Sequence, residues 1–124
     1  MKKDKKLILL VEDDSFLQSL YNDLLNGEGY NVTVSQDGAE ALKLIQEKNW
    51  DLILLDIMLP HLTGFEILLK AKETNKAVSN KTIFLTNLDA SSEDITKLKA
   101  AHDYWIKSDM TPPEFIQKVS SFFS

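Results

Sequence analysis

The polar side chains able to do chemistry in this sequence stand at the ends of short apolar runs. Glu12-Asp13-Asp14 follows Leu7-Ile8-Leu9-Leu10-Val11, and Asp56 follows Leu52-Ile53-Leu54-Leu55. Thr86 follows Thr82-Ile83-Phe84-Leu85, and Lys107 follows Tyr104-Trp105-Ile106. Carboxylates drawn together cannot all stay ionised and unpaired, because like charges raise one another's pKa values. They either share protons or hold a cation. An all-oxygen ligand set without His or Cys favours Mg²⁺, which takes one or two carboxylates, keeps waters and adds a phosphate oxygen. Mn²⁺ is the expected substitute. Beside such an ion a carboxylate can act as a nucleophile and form an aspartyl phosphate. A nearby Lys then helps to stabilise charge on the transferring phosphoryl group. Thr86 is placed to hydrogen-bond a phosphoryl oxygen.

Whether these groups meet depends on the elements that carry them. The first and third apolar runs are continuous, as strands buried on both faces read. Asn31-Val32-Thr33-Val34-Ser35 alternates apolar and polar, the pattern of a half-exposed edge strand. Between the strands lie stretches of helical periodicity. The first carries Phe16, Leu17, Leu20, Leu24 and Leu25 and stops at Gly27 and Gly29. Asp37 caps a helix with Ala41, Leu42 and Ile45, and a third helix bears Phe65, Leu68 and Leu69 after the turn Leu59-Pro60-His61. A polar stretch from Glu73 to Lys81 leads to the fourth strand, and Ser91 starts a weakly apolar helix with Ile95 and Leu98. Thr111-Pro112-Pro113-Glu114 is a capping box opening a last helix that buries Phe115, Ile116, Val119, Phe122 and Phe123.

Strict alternation of strands and helices requires parallel pairing with helices on both faces. Putting the most apolar strands in the centre gives the order 2-1-3-4-5, and closure into a barrel would need eight units. The expected fold is a single α/β domain over 1–124, a flavodoxin-like (βα)5 doubly wound parallel sheet. Its site lies beyond the carboxyl ends of the strands, where the winding reverses between the first and third. Four of the five strands then deliver a polar group to one edge.

Composition narrows the function classes. The chain has 124 residues, 44% hydrophobic and 27% charged, in the range of one soluble domain. No Cys is present, which removes disulfides, thiolate catalysis and Cys-based zinc sites. A net charge of −5 and the lack of Arg argue against a nucleic-acid surface. The basic start, with Lys2, Lys3, Lys5 and Lys6, reads as a solvated approach to the first strand. The longest apolar run is too short for a signal-peptide core or a membrane span, so a cytoplasmic address with no membrane partner is expected. His61 and His102 have no ligand spacing and read as solvated, while Trp50 and Trp105 read as packing residues.

Four segments resemble response-regulator receivers: Val11-Glu12-Asp13-Asp14, Leu54-Leu55-Asp56-Ile57-Met58-Leu59-Pro60-His61-Leu62-Thr63-Gly64, Phe84-Leu85-Thr86 and Asp103-Tyr104-Trp105-Ile106-Lys107. The strand order above is also that of the chemotaxis receiver. The resemblance implies that Asp56 is the phosphoacceptor, that Asp13 and Asp14 are the acidic pair holding Mg²⁺, and that the backbone carbonyl of Met58 is the remaining protein ligand. It implies that Lys107 pairs with the phosphate, that Thr86 moves toward it, and that Tyr104 swings inward when Thr86 moves. The fourth helix, fifth strand and fifth helix would then form a docking surface.

The phosphoryl group would come from a phosphohistidine on a histidine kinase or histidine phosphotransfer protein in a two-component system or phosphorelay. The signal would leave by binding a downstream target, from a monomer or a phosphorylation-dependent dimer. Such a protein is a phosphoacceptor that assists its own phosphorylation and dephosphorylation, not a turnover enzyme. Two residues depart from the family pattern. Ser108 stands where Pro is typical after the lysine, and Asn87 follows the switch threonine where a small residue is usual. A cis bond before Ser costs roughly 2.5–4 kcal/mol, so a trans bond and a differently placed loop are expected. Asn87 is expected to screen the phosphoryl group and change how fast water removes it.

Rival readings carry less. A degenerate receiver that only binds partners rests on Ser108 and Asn87 alone, against the full set Asp13, Asp14, Asp56, Thr86 and Lys107. A Mg²⁺-dependent phosphatase would want a D-x-D arrangement after the first strand and a lid. A flavin or dinucleotide binder would need a Gly-rich or hydroxyl-rich phosphate loop there. One of Asp13 and Asp14 also suits the N-cap of the first helix.

Overall fold

The computed structural model describes residues 5–87 and 92–124, except for the side chains of 92–94. The strands are β1 (Leu7–Val11), β2 (Asn31–Ser35), β3 (Leu52–Asp56), β4 (Thr82–Thr86) and β5 (Asp103–Ile106). They form one parallel sheet in the order β2-β1-β3-β4-β5. The helices are α1 (Ser15–Gly27), α2 (Gly38–Glu47), α3 (Gly64–Thr74), α4 (Ser92–Leu98) and α5 (Pro112–Phe122). Ser91, expected to open the fourth helix, lies outside the described residues.

Alternation along each strand divides the core into two layers. Leu9, Val11, Ile53, Leu55 and Phe84 pack with Ala41, Ile45, Ile67, Leu68, Ala71 and Leu98, so α2, α3 and α4 cover that face. Ile8, Leu10, Leu52, Leu54, Ile83 and Leu85 pack with Tyr21, Leu25, Phe115 and Val119, placing α1 and α5 on the other. Burial on both faces is why the runs of β1 and β3 are continuous. Trp50 and Trp105 are buried in these layers as expected.

Helix ends follow the local signals. Thr63 and Thr111 each head a capping box, with Glu66 and Glu114 reaching back to the cap backbone. Beyond α1, Gly29 takes the left-handed conformation at φ 91°, open to glycine without strain. Several apolar expectations are corrected. Phe16 is 75% exposed and Leu69 is 67% exposed, because each sits a step outside its helix's buried stripe. Ile95 lies at the surface, and Ile116, Phe122 and Phe123 are only half-buried. The polar stretch before β4 also contains a 3₁₀ turn, Lys76–Lys81, capped by the Asn75 side chain on Ala77.

Candidate functional site

β1 and β3 are neighbours, so their carboxyl ends bring the first acidic run beside Asp56. Glu12 continues the row of Ile8 and Leu10, and its N–H donates to Ser35 O at 3.0 Å. That extra step of pairing keeps Glu12 wholly buried, while Asp13 and Asp14 are exposed. Asp56 continues the row of Leu52 and Leu54 and is 4% exposed. Lys107 follows β5 and crosses to these acids, its Nζ donating to Glu12 Oε1 at 2.9 Å and lying 3.4 Å from Asp56 Oδ1.

These contacts set the electrostatics. Burial pushes the Asp56 carboxyl up to about 7, and the charge of Glu12 adds to the rise. Lys107 opposes it but is closer to Glu12 than to Asp56, so Asp56 stays under-compensated. For Lys107, burial works against the charge; the hydrogen bond to Glu12 and the Asp56 charge more than offset it, holding the lysine above its ordinary value. Tyr21, stacked on Phe115 at 4.4 Å, is raised to about 12 by burial and then by Glu12 and Asp56.

Oxygens of Glu12, Asp13 and Asp56 all lie within 4.8 Å of one another. Asp14, expected in that cluster, instead caps α1: its Oδ1 accepts from Leu17 N at 3.0 Å. The correction has a local cause. The chain leaves β1 at Glu12 with its side chain turned inward, and by Asp14 the backbone has extended into the cap position of a helix. Sequence spacing named three adjacent acids without saying which two face Asp56; the sign available was that Asp14 directly precedes the helix. The donor chemistry of Glu12, Asp13 and Asp56, all oxygen and partly desolvated, fits a hard divalent ion.

The acids, Leu17, Ile57, Met58, Thr86, Asn87 and Lys107 line one cavity of about 260 Å³. Thr86 ends β4 and is buried. It continues the row of Phe84, which pairs with Tyr104, so Thr86 and Tyr104 face the same layer. Tyr104 is half-buried there. The Lys107–Ser108 bond is trans, and the lysine reaches both carboxylates.

The loop between β3 and α3 is fixed by close backbone approach. A Cβ on Gly64 would meet Asp56 O at 2.5 Å, and one on Gly38 would meet Leu62 O at 2.5 Å. Only glycine fits at either point without a shift. His61, expected to be merely solvated, is 69% exposed yet lies with Nδ1 2.8 Å from Asp37 Oδ2. His102 rests edge-on against Phe122 at 5.2 Å.

Comparison with known proteins gives one family, Response regulator receiver domain, matched over residues 8–120. Among curated relatives, the transcriptional regulatory protein TrcR of Mycobacterium tuberculosis is 33% identical over 112 residues, 90% of this chain and 43% of TrcR. The polar-differentiation response regulator DivK of Brucella anthropi is 28% identical over 117 residues, 94% of this chain and 95% of DivK. This chain thus spans about half of the matched transcriptional regulators but nearly all of DivK. Among solved structures, the response regulator TrrA of Thermotoga maritima, in complex with Mg(2+)-BeF, superposes with a TM-score of 0.81 at 32% identity. That match covers 94% of this chain and 98% of TrrA.

Proposed function

The chain belongs to the response regulator receiver domain family, a phosphorylatable switch of two-component signalling, and on that premise we propose that Asp56 is the residue phosphorylated. The observation that carries the reading is the burial of Asp56 against Glu12, Asp13 and Lys107 at one sheet edge. An Oδ of Asp56 forms the new bond to phosphorus as the bond to a histidine nitrogen of the donor breaks, and the donor leaves as imidazole.

Glu12, Asp13, Asp56 and the carbonyl of Met58 would hold Mg²⁺, with Mn²⁺ as a substitute. When bound, the ion supplies positive charge that keeps Asp56 ionised and offsets charge on the phosphoryl oxygens. The likeness to TrrA, whose complex contains Mg²⁺ and BeF, supports this choice of ion. Lys107 balances the remaining charge by shifting weight from Glu12 to the phosphoryl group. Thr86 donates its hydroxyl to a phosphoryl oxygen, and Tyr104, in the same layer, follows into the space released. Asn87 at the cavity rim screens the group from water.

The partners in this reading are a histidine kinase or histidine phosphotransfer protein as donor and a target protein docking on α4, β5 and α5. The exchange takes place in the cytoplasm. Among the described residues no helix is long and apolar enough to cross a membrane. Intact mass after incubation with a small acyl phosphate tests the reading. A Mg²⁺-dependent gain of one phosphoryl group, absent in Asp56→Ala, is expected. No gain in folded, Mg²⁺-saturated protein would favour a receiver that only binds partners.

A further inference from the structure

The loop from Ile57 to Thr63 carries Met58 to the cavity and then turns back over the start of α2. Two amides converge on one carbonyl there: Gly38 N donates to Pro60 O at 3.1 Å and Leu62 N to the same oxygen at 2.9 Å. His61 is the central residue of the tight turn that the Leu62–Pro60 bond closes, at φ 72°, a γ-turn backbone state unusual for a residue with a Cβ. A side chain held in a disfavoured backbone state needs a compensating contact. Asp37 supplies it and serves two elements at once. Its Oδ1 accepts from Ala39 N at 2.7 Å to cap α2, while its Oδ2 takes the His61 Nδ1–H at 2.8 Å.

We propose that His61 is a positioning residue, which with Asp37 straps the β3–α3 loop to the start of α2. The other carboxylates of the adjoining first turns are engaged elsewhere. Glu40 accepts from Ser35 Oγ at 2.6 Å, and Glu66 accepts from its own cap residue's amide, Thr63 N, at 2.9 Å. Asp37 is held below its ordinary value, first by the Ala39 amide and then by His61, which favours the anionic form that accepts both bonds. The strap ties the loop that carries Met58 to the start of α2. Its consequence for cation binding rests on the reading that Met58 offers its carbonyl to Mg²⁺.

Amide hydrogen exchange by NMR on metal-free protein tests the strap without that reading. The variants are His61→Asn, which tolerates a positive φ but lacks the imidazole, and Asp37→Ser, which keeps a helix cap. At about pH 6 the Gly38 and Leu62 amides should exchange a few-fold faster in either variant than in wild type, the scale of one exposed ion pair. Exchange at pH 6 equal to wild type in both variants would overturn the proposal. Calorimetric Mg²⁺ titration at pH 6 separates the two claims: variants weaker by the same few-fold agree with both. Wild type binding no Mg²⁺ would sink the cation reading and leave the exchange result to judge the strap.

Discussion

Two ion pairs flank the β3–α3 loop and differ mainly in how much water they see. Lys107 and Glu12 meet with side chains 7% and 0% exposed, whereas His61 and Asp37 meet at 69% and 39%. Both are short. In the buried pair, charge removed from water is costly unless balanced, so each partner's loss strands another. In the exposed pair, water screens the attraction and the contact trims a local equilibrium. The difference sorts the proposed roles: on the proposed function the buried pair belongs to the chemistry, and on the proposed strap the exposed pair sets the bearing of the loop.

The largest expected effect comes from breaking the buried pair. Lys107→Met should destabilise the protein by about 3–5 kcal/mol at pH 8, because two buried carboxylates lose their cation. Urea unfolding should show the loss shrinking at low pH, where Asp56 takes up a proton. A loss below about 1 kcal/mol at pH 8 would mean that water reaches the site and that the two pairs are alike.

Next in size is Gly64→Ala, where the new Cβ meets the Asp56 carbonyl. Overpacking of this kind costs about 1–3 kcal/mol. Thermal unfolding should show it, together with weaker Mg²⁺ binding from a displaced loop. Asp56 itself gives a pH signature. Its carboxyl is pushed up to about 7, above the unfolded value near 4, so the metal-free fold holds a proton that the unfolded chain has released. That contribution is complete below about pH 4 and is lost as pH rises to about 7. The thermal midpoint of metal-free protein should therefore fall across this window, less so in Asp56→Asn, and Mg²⁺ should restore it most at the upper end. The smallest effect is Asp37→Ser, expected to leave global stability nearly unchanged while freeing the loop amides.

The same contrast explains what the sequence made legible. Sheet order followed from apolar periodicity, since continuous runs in β1 and β3 and alternation in β2 record burial directly. Asp56, Thr86 and Lys107 were readable as neighbours because the first two end strands, the third directly follows one, and those strand ends converge. Glu12 was passed over because adjacent acids look alike until the strand's inward step and the helix cap are known. His61 and Asp37 lie far apart in the chain, and only α2 and α3 packing on one face brings them together. The exposure of Phe16 and Leu69 was hidden for a related reason: helical periodicity fixes a stripe but not its edge.

The central claim is that Glu12, Asp13 and Asp56, and not the cap residue Asp14, form the cation-dependent site. Calorimetric Mg²⁺ titration of Asp13→Asn beside Asp14→Ser tests it most directly, since Ser preserves the cap. The account predicts that Asp13→Asn weakens binding by at least about tenfold, while Asp14→Ser stays within about threefold of wild type. Binding lost in Asp14→Ser and kept in Asp13→Asn would contradict it.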